Sequence, residues 1–166
     1  MQNHTQLPTG LSFSYETERL ILRLPSTDYL REIHDFLYRN RSCFEKYEPT
    51  APENYYTLDF QQTLARCELK LALKLSSVRF YVFLKEDPST IIGTVCLHNI
   101  IKMPYFTSEV GYKFDASYQH HGYAREALSM ALSVGFYGLG LHKIFARCMP
   151  ENTPSRNLLH ATGFFE

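Results

Sequence analysis

The sequence predicts an α/β protein of mixed α+β type, a mixed sheet with helices on both faces, and three observations carry that prediction. Strand-like and helix-like stretches follow one another as β, α, α, β, β, β, α, β, α, β, with helices grouped early and alternating with strands later. Glu109-Val110-Gly111-Tyr112-Lys113-Phe114 alternates strictly, which marks a central strand with Val110, Tyr112 and Phe114 on its core face. The chain has 166 residues, 45% apolar and 20% charged, which suits one self-folding domain.

Residues 1–14 are polar and broken by Pro8 and Gly10, and read as a leader that is loosely ordered or lies on the surface, ahead of a single domain over residues 15–166. Leu20-Ile21-Leu22-Arg23-Leu24, ended by Pro25, predicts the first strand. Ser26, Thr27 and Asp28 offer N-cap oxygens to a helix with Leu30, Ile33 and Leu37 on one face, fading at Asn40. Residues 42–56 are aromatic and turn-rich and predict a long loop, of the kind that lines binding sites. Thr57 can cap a second helix, whose Phe60, Leu64, Cys67, Leu71 and Leu75 recur at helical spacing.

Residues 78–84 and 91–97 are β-branched and aromatic, and the Asp87-Pro88 turn between them predicts a hairpin. After the 109–114 strand, a helix over 122–137 buries Ala124, Ala127, Leu128, Ala131, Leu132 and Gly135, small enough for close approach to a sheet, and Gly138 and Gly140 stop it. Residues 143–148 form a further strand, and Pro154 opens a last helix with Gly163 at its C′ position. Phe164-Phe165-Glu166 begins another strand.

Chemistry concentrates where the central strand meets the long helix, at Gln119-His120-His121-Gly122-Tyr123-Ala124. A strand, a tight loop and a helix N-terminus together present unpaired N–H groups and the positive end of a dipole, which suits a pyrophosphate. With a single glycine and no Lys-Ser/Thr, the loop is neither a Walker A loop nor a dinucleotide fingerprint. Read from the residues alone, it is either an anion site or an ordinary strand-to-helix turn.

Gln119-x-x-Gly122-x-Ala124 is similar to the acetyl-CoA motif of the GCN5-related N-acetyltransferases, the GNAT superfamily, and to its ribosomal-protein alanine N-acetyltransferase branch in particular. Four further pieces carry the resemblance in the family's order: residues 16–23 (ETERLILR), Ile92-Gly93-Thr94-Val95, Glu109-Val110-Gly111-Tyr112, and Asn152-x-x-Ser155 ahead of Gly163-Phe164. The resemblance spans residues 16–166 and implies the GNAT fold, a mostly antiparallel sheet splayed between its fourth and fifth predicted strands, here 109–114 and 143–148.

It further implies acetyl-CoA as co-substrate, with the pyrophosphate on the amides of Gln119, His120, His121, Gly122, Tyr123 and Ala124. The pantetheine arm would run along the edge of the Val110, Gly111 and Tyr112 strand and reach Asn152. Direct attack of a primary amine within a ternary complex would use Glu109 as base and a Val110 or Gly111 N–H for the oxyanion. Ser155 would serve the leaving sulfur, because the position where many relatives carry a tyrosine is Leu159. Phe44, Tyr47 and Tyr105 would wall the acceptor. From the residues alone, Glu109 could equally be a solvated strand carboxylate paired with Lys113, Ser155 a helix-start hydroxyl, the Asn152 segment a turn with Thr153 and Pro154 as turn and cap residues, the two histidines turn residues, and the three aromatics packing groups.

The implied reaction moves an acetyl group to a protein N-terminal amine, such as that of a ribosomal protein, or to a small-molecule amine. A non-catalytic acyl-CoA-binding module is the alternative. Lys plus Arg equals Asp plus Glu at 17 each, so no global field draws nucleic acid or an anionic membrane. Without an apolar span or a signal peptide, a cytoplasmic protein is expected. The four cysteines lack C-x-x-C spacing and the histidines lack H-E-x-x-H, so no metal is expected. Relatives continue past the Gly-Phe by roughly 15–20 residues, about two strands, so the C-terminal strands are expected to be truncated, and a homodimer partner is one way to cover the open edge.

Overall fold

A computed structural model describes residue 7 and residues 9–166, so residues 1–6 and 8 of the predicted leader lie outside the described residues. Six strands form one sheet in sequence order: β1 (Ser14–Glu16), β2 (Leu20–Arg23), β3 (Val78–Leu84), β4 (Ile91–Ile101), β5 (Thr107–Phe114) and β6 (Lys143–Phe145). Each neighbour pair from β1 to β5 is antiparallel, and β6 joins β5 in parallel. The parallel step needs a crossover, which α4 (Tyr123–Ser133) supplies. The predicted mixed, mostly antiparallel sheet is therefore the observed one.

Both faces of the sheet are covered. Leu20, Leu22, Phe80, Val95, Leu97 and Val110 pack against Ala127, Leu128 and Ala131 of α4. On the other face Tyr81, Phe83 and Ile91 meet Ile33, Phe36 and Leu37 of α1 (Leu30–Arg39), Phe44 at the end of α2 (Arg41–Phe44), and Ala65 of α3 (Leu58–Leu73). The last helix, α5 (Thr153–Ala161), is capped by the Asn152 side chain, which accepts from the Ser155 amide. Gly163, at φ +94°, ends it as the sequence predicts.

Several elements differ from expectation. Leu11, inside the stretch read as a surface leader, is fully buried in the core, and β1 precedes the predicted first strand. Along α3 the buried positions are Gln61, Ala65 and Ala72, whereas Cys67 and Leu71 are exposed. The reason is polar: Glu68, on the buried side, receives Arg79 Nε at 2.6 Å and Tyr81 Oη at 3.3 Å from β3, so an ion pair sets the rotation of the helix. The 42–56 loop contains the end of α2 and a 3₁₀ turn over Glu53–Tyr56. Residues 164–166 add no strand; instead Arg156 holds Glu166 at 2.6 and 2.9 Å.

Candidate active site

The register of β5 against β6 opens the molecule. The two pair only over Thr107–Lys143, Ser108–Ile144 and Glu109–Phe145, after which β5 continues to Phe114 without a partner on that side. The chains diverge, and the gap is a cleft of about 1070 Å³ with Val110, Gly111 and Tyr112 on one wall and Ala146, Arg147 and Cys148 on the other. This is the splay implied at residues 109–114 and 143–148, although regular strand structure on the second side ends at Phe145. An unpaired strand edge offers alternate N–H and C=O groups to an extended ligand.

The turn-helix loop closes one end of the cleft, where Gln119, His120, Gly122, Tyr123 and Ala124 line it and His121 lies beside them. His120 at φ +63° and Gly122 at φ +81° coil the backbone ahead of α4. The amides of His120, His121, Gly122, Tyr123, Ala124 and Arg125 donate to no acceptor among the described residues. Successive amides around left-handed residues at the positive end of a helix form an anion-binding concavity. His121 Nδ1 lies 2.7 Å from the Gln119 carbonyl, and its ring stacks on Tyr123.

Asn152 and Ser155 line the cleft from the start of α5. Tyr112 reaches across from β5, its hydroxyl 2.8 Å from Ser155 Oγ and 3.2 Å from the Ser155 carbonyl. Burial pushes the Tyr112 phenol above its ordinary pKa, opposed by the Ser155 bond, so it stays protonated at neutral pH. Leu159 is buried one turn further along, where no side-chain proton is available.

Glu109 is buried beside the mouth of the splay and does not pair with Lys113: its carboxylate meets Arg147 at 3.5 Å. Lys113 instead binds Glu48 at 2.9 Å and lies over the Phe44 ring, tying the 42–56 segment to β5. Burial holds the Lys113 ammonium below the usual lysine value, against the pull of Glu48. Phe44 and Tyr47 line the cleft. Tyr105 does not; it is exposed on the β4–β5 connection. Arg147 and Glu48 were not among the residues picked from sequence, and Lys113 was considered only as a partner of Glu109, because a charged residue carries no local sign of what it faces across the fold.

Among the described residues no group of three His, Cys, Asp or Glu side chains could hold a metal ion, and no helix is long and apolar enough to cross a membrane.

Similarity to known proteins runs through this same architecture. The chain is 31% identical over 125 residues to the "Probable N-acetyltransferase YjcK" of Bacillus subtilis, covering 75% of this chain and 68% of that protein. The matched stretches span 48% and 52% of two further Bacillus relatives. Among solved structures, the ribosomal-protein-S5-alanine acetyltransferase of Vibrio fischeri superposes with a TM-score of 0.87 at 29% identity, covering 92% of this chain and 83% of that one. A spermidine N-acetyltransferase of Vibrio cholerae, solved with CoA and spermine, gives a TM-score of 0.72 at 27% identity, covering 90% and 83%. Residues 19–165 match the acetyltransferase (GNAT) domain, and the chain belongs to that family of N-acetyltransferases.

Proposed function

We propose that the protein transfers an acetyl group from acetyl-CoA to a primary amine, and that the acceptor is a protein N-terminus of the ribosomal-protein type. The observation that carries the reading is the run of unpaired amides from His120 to Arg125 at one end of a cleft whose wall is an unpaired strand edge. Those residues fit the co-substrate: the amides suit a diphosphate, the free edge at Val110, Gly111 and Tyr112 suits the amide-bearing pantetheine arm, and Asn152 lies further along the cleft. Acetyl-CoA supplies an activated thioester when bound.

The chain's own residues divide the remaining work. Glu109, held by Arg147, takes the proton of the incoming amine, directly or through a water. An amide of β5 at Val110 or Gly111 stabilises the oxygen that becomes negative. Ser155, aligned by Tyr112, hydrogen-bonds the departing sulfur. Phe44 and Tyr47 present an apolar wall to the acceptor. The ribosomal acceptor follows the likeness to the Vibrio fischeri enzyme at 92% coverage, and the spermidine enzyme keeps a small polyamine as the second acceptor class.

The test is calorimetric titration of the purified protein with acetyl-CoA, followed by thiol release in the presence of ribosomal-protein N-terminal peptides and of polyamines. Binding with peptide-dependent thiol release supports the proposal. Binding with release only on polyamines moves the acceptor, binding without release makes the protein an acyl-CoA-binding module, and no binding rejects the reading.

A further inference from the structure

The Glu16-Thr17-Glu18-Arg19 stretch ahead of β2 has no part in the chemistry above, yet the side chains of Thr17 and Arg19 converge on the start of α4, more than a hundred residues away in sequence. Glu126, in the first turn of α4, accepts from the Thr17 hydroxyl at 2.5 Å, from the Arg19 amide at 2.8 Å and from Arg19 Nε at 2.8 Å. A second guanidinium nitrogen, Nη2, stands 2.8 Å from the same oxygen that Nε meets, Oε2, while the Thr17 hydroxyl and the Arg19 amide share Oε1, so both carboxylate oxygens are held. The remaining nitrogen of Arg19 donates to the His121 carbonyl at 2.9 Å, and the guanidinium lies 4.5 Å over the Tyr123 ring.

These contacts act on the geometry of the amide run. In a planar trans peptide the carbonyl and the following N–H point in opposite directions. With the His121 carbonyl fixed on Arg19, the Gly122 N–H is turned away from Arg19, and Gly122 itself lines the cleft. Gly122 leaves room for this: a Cβ there would stand 3.4 Å from the guanidinium, on a backbone at φ +81°. The cluster also handles charge. Glu126 places a carboxylate in the first turn of the helix whose end faces the cleft, where it would repel an incoming diphosphate, and Arg19 cancels it within hydrogen-bond distance.

We infer that Arg19 is a positioning residue for the co-substrate: it acts through the His121 carbonyl and Glu126 to hold the 120–125 amides in their phosphate-receiving orientation. This rests on the acetyl-CoA reading of the cleft.

The experiment compares wild-type protein with Arg19→Ala, Arg19→Lys and Thr17→Val by calorimetry with CoA, by acetyl-transfer kinetics with acetyl-CoA, and by kinetics with S-acetylpantetheine, which lacks the diphosphate. Arg19→Ala is expected to weaken CoA binding and raise KM for acetyl-CoA about tenfold or more, the scale of losing one charge-assisted hydrogen bond, with kcat at saturation changed by less than about twofold. Turnover of S-acetylpantetheine is expected to stay at the wild-type level. Arg19→Lys retains a charge opposite Glu126 but cannot span Glu126 and the His121 carbonyl together, so its loss of CoA affinity is expected to approach that of Arg19→Ala, and it serves in its place if the alanine variant does not fold. Thr17→Val removes the hydroxyl's bonds to Glu126 and to the Leu20 backbone without touching the 120–125 loop, and is expected to lower Tm while leaving CoA affinity unchanged.

Equal losses of affinity in Thr17→Val and Arg19→Lys, or equal losses on both acyl donors, would reduce the cluster to a structural tie and overturn the inference. Unchanged CoA affinity in folded Arg19 variants overturns it alone, whereas wild-type protein that binds no CoA overturns the acetyl-CoA reading and this inference with it.

Discussion

Glu109 and Ser155 sit on opposite sides of the proposed transfer, and the physical demands on them differ. An α-amino group has a pKa of about 7.7–8.0, so at pH 7 most acceptor is protonated and a base must remove that proton before attack. Glu109→Gln is therefore expected to lower kcat/KM about 100-fold at pH 7, with the deficit shrinking toward pH 9 as free amine accumulates. A pH–rate profile of the variant parallel to wild type would remove Glu109 from the proton path. The leaving group asks for less, because thiol pKa values lie near 8.5 and a thiolate departs with little assistance. Ser155→Ala should cost about tenfold in kcat, and Tyr112→Phe less, since the role proposed for the phenol is to align the Ser155 hydroxyl 2.8 Å away. Steady-state kinetics at saturating acetyl-CoA decide it: a larger loss in Tyr112→Phe than in Ser155→Ala would make the tyrosine the donor.

At the scale of elements, the site depends on how β5 ends and α4 begins. Phe114, the last residue of β5, lies on Gly93 of β4, where a Cβ would stand 2.3 Å from the ring, so glycine is required for space and not for conformation. Gly93→Ala must displace Phe114 and is expected to destabilise the protein by about 1–3 kcal/mol, read as a lower urea midpoint at unchanged slope. An unchanged midpoint would mean the ring relocates freely. Much of this scale was legible in the sequence. The strict alternation of 109–114 identified β5, Pro154 and Gly163 marked both ends of α5, and the small residues of 122–137 identified the sheet-facing helix. Helix α3 was misread because counting Leu and Cys periodicity takes no account of polar partners, and the face that wins is the one carrying Glu68 to Arg79. Leu11 escaped notice because one apolar residue in a polar stretch carries no period. Candidate residues on the strand and loops came from motif spacing, whereas the partners of Arg147, Lys113 and Arg19, which are Glu109, Glu48 and Glu126, lie far away in sequence, and no local pattern encodes such pairs.

For the whole molecule, two carboxylates join distant parts of the chain around the cleft, and both make stability depend on pH. Asp115, just after β5, accepts from Arg39 at the end of α1 at 2.5 Å and from the Ser117 amide at 2.9 Å. Burial alone would raise its pKa, but these bonds outweigh burial and hold the carboxyl below the ordinary aspartate value. At Glu126 burial is likewise outweighed, here by Thr17 and Arg19, and the pKa is again lowered. A carboxyl whose folded pKa lies below its unfolded value of about 3.9 for Asp or 4.3 for Glu binds fewer protons in the folded state. Stability from both groups is then fully present above those unfolded values and is lost as pH falls through the lower folded ones. Asp87 and Glu166 are lowered as well, by local bonds that any substitution at Asp115 or Glu126 leaves in place. The urea midpoint of the wild type is expected to hold from pH 7 to pH 5 and to fall steeply below about pH 4. Combining Asp115→Asn with Glu126→Gln should lower the midpoint at pH 7 and flatten the decline between pH 5 and pH 3, because fewer protons are taken up on unfolding. A double variant that keeps the full wild-type decline would place the acid sensitivity in other carboxylates, and would deny these two ties their part in holding α1, β2 and α4 around the cleft.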